Sequence, residues 1–141
     1  MSPRNAIEDY YEALRRGEPL YPYFVESDAT TKVGIRETLK GYDEVAEGLF
    51  EQSRSTEDWS VTSRDLHVHE REAIAVFSDR VDLEWTDREV DTVRSYDTRW
   101  TGTLERSPTP SRATGDDRPP IDRGSDEWRF LTMHVSAPQE W

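Results

Sequence analysis

Two periodicities divide the chain. In its first third the apolar residues recur every three or four positions, and from Trp59 onward they alternate with polar ones. Ala6, Ile7, Tyr10, Tyr11 and Leu14 fall on one side of a helix. Ser2-Pro3, or Asn5 with Glu8, caps its start, and Arg15, Arg16 and Gly17 stop it. Pro19 to Val25 is short and proline-broken, but Leu20, Tyr23 and Phe24 would pack as a single helical turn. Ala29 to Ile35 reads as a short strand. Gly41 opens a second helix, with Tyr42, Val45, Ala46, Leu49 and Phe50 on one stripe and Asp43, Glu44 and Glu47 near its positive end. The alternating part predicts four strands: Trp59 to Glu70, Ala73 to Asp87, Thr92 to Arg106 and Trp128 to Ser136. Tight turns near Arg71-Glu72 and over Arg88 to Asp91 join the first three. Helices followed by long antiparallel strands make an α+β pattern.

Ser107 to Glu127 interrupts this order. It holds four of the eight prolines and almost no apolar residue, so burial cannot offset the entropy of ordering it. A mobile acidic loop of 21 residues is expected at 107–127, or a lid that orders on binding. The rest of 1–141 reads as one domain around it.

Charge and composition narrow the classes. Thirty acidic residues against eighteen basic ones give a net charge of −12, which repels phosphate backbones and argues against a nucleic-acid partner. Sixteen of the basic residues are Arg and only Lys32 and Lys40 are Lys, the surface expected of a halophilic archaeal protein. No stretch reaches the roughly 20 apolar residues of a membrane span, and MSPRNAIEDYY lacks the apolar core of a secretory signal. A soluble cytoplasmic protein is expected. The absence of cysteine removes disulfides, thiolate nucleophiles and thiolate metal sites. No glycine-rich phosphate loop or nucleophile elbow is present.

Three segments carry a resemblance: Leu39 to Val45 before the second helix, Thr98-Arg99-Trp100-Thr101, and Glu127 to Pro138 with its Trp-x-x-x-x-x-His-x-Ser ending. In this order they resemble the SnoaL-like branch of the nuclear transport factor 2-like superfamily. The closing segment is also similar to the association domain of calcium/calmodulin-dependent kinase. The resemblance implies a cone-shaped α+β barrel, a curved antiparallel sheet wrapped around the amino-terminal helices. It also implies a cavity inside the cone and often a homodimer built on the sheet's outer face. Five Trp, six Tyr and four Phe are large apolar surfaces that suit a cavity wall, an interface or the core. Members that are ketosteroid isomerases carry a carboxylate base in the region matching Thr31 to Gly34, which holds no acid here. Tyr10 or Tyr11 could supply the oxyanion donor, but a donor without a base does not perform that reaction. The family's short turn between the last two strands is replaced here by the 21-residue insertion.

Candidate ligand-binding residues are Arg99, Arg80, Tyr10 and His134. Arg80 and Arg99 lie mid-strand, where a long cation faces solvent or points into a cavity. The kinase-domain resemblance implies the cavity, and a guanidinium there would hold a carboxylate through paired hydrogen bonds. His134 shares alternation parity with Trp128, Phe130, Thr132 and Ser136, opposite Leu131, Met133 and Val135. His67 and His69 project from one strand face and are expected on the outer side, and no metal site is assigned. The leading expectation is a pocket that binds a small anionic or amphipathic molecule without a cofactor. One alternative is a cyclase- or dehydratase-like enzyme using Tyr, His134 and Asp97 or Glu84. The other is an interaction module using the outer sheet and the acidic loop.

Overall fold

The computed structural model describes residues 2–107 and 127–138, so most of the predicted 107–127 loop lies outside the described residues. The first helix, α1, spans Pro3–Arg16. Ser2 caps it: its hydroxyl accepts from the Asn5 backbone N–H at 3.1 Å, and the Asn5 side chain accepts from the Ser2 N–H at 3.3 Å. Gly17, at φ 69°, ends it in the left-handed conformation that favours glycine. The expected stripe is buried throughout: Ala6, Ile7, Tyr10, Tyr11 and Leu14. Tyr21–Tyr23 forms the predicted single helical turn. Strands β1 (Thr31–Val33) and β2 (Thr38–Lys40) form a hairpin, and α2 (Tyr42–Ser55) follows from Gly41, at φ 85°. On α2 the apolar face is narrower than its sequence stripe, since Val45 and Leu49 are buried and Phe50 is exposed.

The strand predicted over Trp59 to Glu70 is two strands, β3 (Thr56–Ser63) and β4 (His67–Glu70). Both pair antiparallel with β5 (Ile74–Asp87), β3 along its carboxyl half and β4 along its amino half. β5 runs against β6 (Thr92–Ser107), and β6 against β7 (Glu127–Ser136). The sheet order is β2-β1-β7-β6-β5-β3, with β1 parallel to β7 and the other pairs antiparallel. The sheet is curved and unclosed, and its inner face packs on α1 in the expected cone. Among the described residues no helix is long and apolar enough to cross a membrane.

Alternation decides what faces inward. On β5, Ala75, Phe77, Asp79, Val81 and Leu83 are buried, while their even-numbered neighbours face outward. On β6 the inward set includes Thr98, Trp100 and Leu104. Gly102 belongs to it too: a Cβ there would overlap the Thr132 carbonyl oxygen and come within 2.8 Å of the Phe77 ring. Strand β7 breaks its own alternation. Thr103 pairs with Thr132 but Leu104 with Phe130, so Leu131 is an extra residue that bulges from the ladder. Trp128 and Phe130 are buried before the bulge, and Met133 and Val135 after it.

Candidate functional site

A cavity of about 230 Å³ lies between the inner face of the sheet and α1. Its wall on β3, β5 and β6 is a ladder of flat rings. Trp59 stacks on Trp85 at 4.6 Å between centroids and 19° between planes, and Trp85 stacks on Tyr96 at 5.3 Å and 26°. Hydrogen bonds fix the outermost ring, because the Trp59 indole N–H donates to Thr56 Oγ1 at 2.9 Å and that hydroxyl donates to the Gln52 carbonyl. Trp100 lines the cavity beside Tyr10, whose ring it meets edge-on at 6.1 Å. The Trp100 indole donates to Thr98 Oγ1 at 2.9 Å, and Thr98 donates to the Val81 carbonyl at 2.6 Å. The rings are held by neighbours before any ligand arrives.

Charge enters the lining at two places. Arg94 and Asp87, on β6 and β5 beside Trp85, form an ion pair at 3.3 Å with side chains 32% and 23% exposed. Across the sheet order, β1 contributes Lys32, whose ammonium meets Glu37 at 3.2 Å. This second pair is asymmetric: the Lys32 side chain is 7% exposed and Glu37 is 39% exposed. Glu37 belongs to the turn between β1 and β2, which is closed by the Gly34 N–H on the Glu37 carbonyl at 2.8 Å. No described residue accepts a hydrogen bond from the Tyr10 hydroxyl. Burial, reinforced by the negative charge of Glu37, pushes the Tyr10 pKa well above that of an ordinary tyrosine. Tyr10 is therefore a neutral donor at any physiological pH.

A second polar cluster sits on the inner face outside the cavity. Asp79, on the inward parity of β5, is only 4% exposed. It accepts from the Tyr11 hydroxyl at 2.8 Å, the Ser63 hydroxyl at 2.6 Å and the Asp65 backbone N–H at 3.0 Å. Burial first, then donation to this carboxylate and its charge, raises the Tyr11 pKa strongly. The cluster ties α1 to β3 and β5, and its donors are engaged within the fold.

Of the four predicted ligand residues only Tyr10 lines the cavity. Arg80 and Arg99 require correction. They sit opposite each other on β5 and β6, on the outward parity, and both are exposed. Arg80 reaches Asp97 at 3.3 Å on that same outer face. His134 also faces outward, because the bulge at Leu131 reverses its parity relative to Trp128. Asp97 and Glu84, proposed as enzymic carboxylates, are exposed on the outer face as well. His67 and His69 are exposed, and His67 Nε2 lies 3.0 Å from Asp65. Among the described residues no three His, Asp or Glu side chains are grouped to hold a metal.

Apart from Tyr10, the residues that form the cavity were missed, although part of the signal was available. Trp85 and Asp87 share parity with buried Leu83, and Arg94 and Tyr96 share it with buried Trp100. Lys32 is one of two lysines in a chain of sixteen arginines.

No family model and no curated protein matches the sequence. Solved structures match its fold over nearly the whole chain. One is a nuclear transport factor 2-like superfamily protein from Salmonella enterica serovar Typhimurium, at TM-score 0.73 and 16% identity, covering 96% of this chain and 88% of that one. A candidate dehydratase of the NTF2-like family from Streptomyces avermitilis gives 0.73 and 17%, covering 97% and 94%. A candidate calcium/calmodulin-dependent protein kinase type II association domain from Thiobacillus denitrificans gives 0.69 and 16%, covering 98% and 96%. The fold is NTF2-like. Neighbours named for catalysis and for assembly share it, so fold alone does not choose between those roles.

Proposed function

We propose that the chain binds a small amphipathic molecule with an acidic group in the cone cavity. The observation that carries the reading is the lining itself. Lys32, Arg36 and Arg94 oppose Glu37 and Asp87, three cations to two carboxylates, in a chain whose net charge is −12. An aromatic ladder faces the same space and offers apolar ring edges to the ligand's body. At about 230 Å³, the cavity exceeds the roughly 150 Å³ that admits a benzene ring, so one ring or two fused rings suit it. The reading calls for no cofactor. The enzyme alternative keeps Tyr10 and loses its other named groups, since His134, Asp97 and Glu84 face away from the cavity.

The test is a titration with 2-naphthoate followed by tryptophan emission, since Trp59, Trp85 and Trp100 line the cavity. Saturable quenching that Trp85→Ala removes is the expected result. If no naphthalene compound quenches at millimolar concentration, the reading fails.

The same proposal takes the chain as a cytoplasmic homodimer of a halophile. The acid-rich, lysine-poor composition supports the salt adaptation, and Ile74, Val76 and Val93, exposed on the sheet's outer parity, support a partner there. Light scattering in molar KCl reads the mass, and a melting temperature indifferent to KCl would remove the salt adaptation.

A further inference from the structure

We infer that the ligand is a flat aromatic carboxylate whose anionic group takes the place held by the Glu37 side chain beside the Lys32 ammonium and the Tyr10 hydroxyl. The inference rests on the cavity being a binding site, and it names the ligand's chemistry and the residue that selects it.

The argument starts from the asymmetry of the Lys32–Glu37 pair. Lys32 is fixed in the sheet, between Met133 and Leu39 in the ladder, and its side chain is buried. A buried ammonium needs an anion or acceptors, because removing them leaves a desolvated charge. Its one hydrogen bond among the described residues goes to Glu37, although an ammonium carries three donors. Glu37 is under no matching constraint. Its backbone is pinned by the turn, while its side chain is more than a third exposed and can rotate into water. Of the two partners, only Glu37 can leave at small cost, provided that another anion takes its place on Lys32.

The surroundings of the pair favour replacement by a ligand group. Gly34 packs against it so closely that a Cβ would lie 3.1 Å from Glu37 Cγ and 3.3 Å from Lys32 Nζ. A larger residue at 34 would fill the space an incoming carboxylate uses. The Tyr10 hydroxyl lines the same cavity and carries a donor that no described residue accepts. The rest of the ligand is specified by the facing wall, where the Trp59, Trp85 and Tyr96 rings lie nearly parallel. Trp85 is covered on both faces by its neighbours, so the ladder turns ring edges to the cavity, and the face of a planar arene packs on such edges in the T-shaped arrangement that an aliphatic chain cannot make. Glu37 then acts as a built-in stand-in: it neutralises Lys32 in the free protein and yields to an anion, so neutral arenes gain nothing from the exchange.

Titration calorimetry of 2-naphthoate and neutral 2-naphthalenemethanol against four chains tests this: the parent, Glu37→Gln, Lys32→Met and the double variant. Glu37→Gln should tighten 2-naphthoate by about tenfold, the scale of one hydrogen bond to a charged group, and shift the alcohol by less than about twofold. Lys32→Met should weaken 2-naphthoate to the level of the alcohol and erase the gain from Glu37→Gln. A gain that survives without Lys32 would be general electrostatics and would overturn the inference, as would unchanged or weaker binding by Glu37→Gln. Should Lys32→Met not fold, thermal shifts decide. 2-Naphthoate should raise the melting temperature of Glu37→Gln more than that of the parent, and equal shifts would overturn the inference. Binding of both compounds without preference removes the inference and keeps the cavity. Binding of neither removes both.

Discussion

Replacing Asp79 by alanine should be among the costliest single changes in this chain, for reasons that can be worked from its three donors. The Tyr11 hydroxyl is buried, and losing its acceptor there costs about 1–3 kcal/mol. The Ser63 hydroxyl and the Asp65 N–H are only part-buried, so each recovers water and loses about 1 kcal/mol net. The sum is about 3–5 kcal/mol, a large share of the roughly 5–15 kcal/mol that holds a domain of this kind folded. Tyr11→Phe removes the orphaned hydroxyl, so the double variant Asp79→Ala/Tyr11→Phe should recover about 1–2 kcal/mol relative to the sum of the single changes. The assay is urea unfolding at fixed KCl, with the midpoint shifting and the slope unchanged. A cost below about 1 kcal/mol for Asp79→Ala, or strict additivity with Tyr11→Phe, would refute this account of the cluster.

Stability should also fall at alkaline pH. Tyr10 and Tyr11 keep their protons in the fold well above the ordinary value of 10 at which the unfolded chain loses them. Below that pH their contribution is fully present. Above it the unfolded state binds fewer protons, and stability drops by about 1.4 kcal/mol per pH unit for each tyrosine. Tyr11→Phe should roughly halve the slope of urea midpoints between about pH 10 and 11.5, and a flat profile would contradict the burial argument. Gly102→Ala should cost about 1–3 kcal/mol in the same unfolding assay, because its methyl meets the backbone of β7, which cannot swing aside. Arg80→Ala and Arg99→Ala should each leave 2-naphthoate affinity within about twofold, as outer-face residues in solvent. A larger loss measured by calorimetry would put the ligand on the outer face instead of in the cavity.

The elements were legible because two clean periods separate them. The α1 stripe, the Tyr21–Tyr23 turn, the Gly41 helix start and the β5–β6 hairpin all follow from local chemistry. What the sequence hid lies where local rules are interrupted. Strand β2 is three residues long and has no period to read. The break between β3 and β4 sits at Arg64 to Leu66, where the apolar parity slips from odd (Trp59, Val61) to even (Leu66, Val68) with no glycine or proline to mark it. The bulge at Leu131 carries no glycine or proline to announce it, and it turned His134 from an inward candidate into an outward residue. The site was obscured differently. Arg80 and Arg99 drew attention as mid-strand cations, yet the apolar residues flanking them, Val81 and Trp100, already assign the arginines to the opposite face. By the same parity Asp79, between Phe77 and Val81, belongs inside. The pairing of Lys32 with Glu37 depends on a turn whose geometry only the folded chain supplies.

Crystals grown with 6-bromo-2-naphthoate test the central claim most directly, because anomalous scattering locates the bromine without assumptions about the rest of the ligand. The account predicts one peak inside the cone near the Trp59–Trp85–Tyr96 ladder, with the carboxylate on Lys32 and the Glu37 side chain turned toward solvent. A peak confined to the outer face, against Arg80 or Arg99, would contradict it.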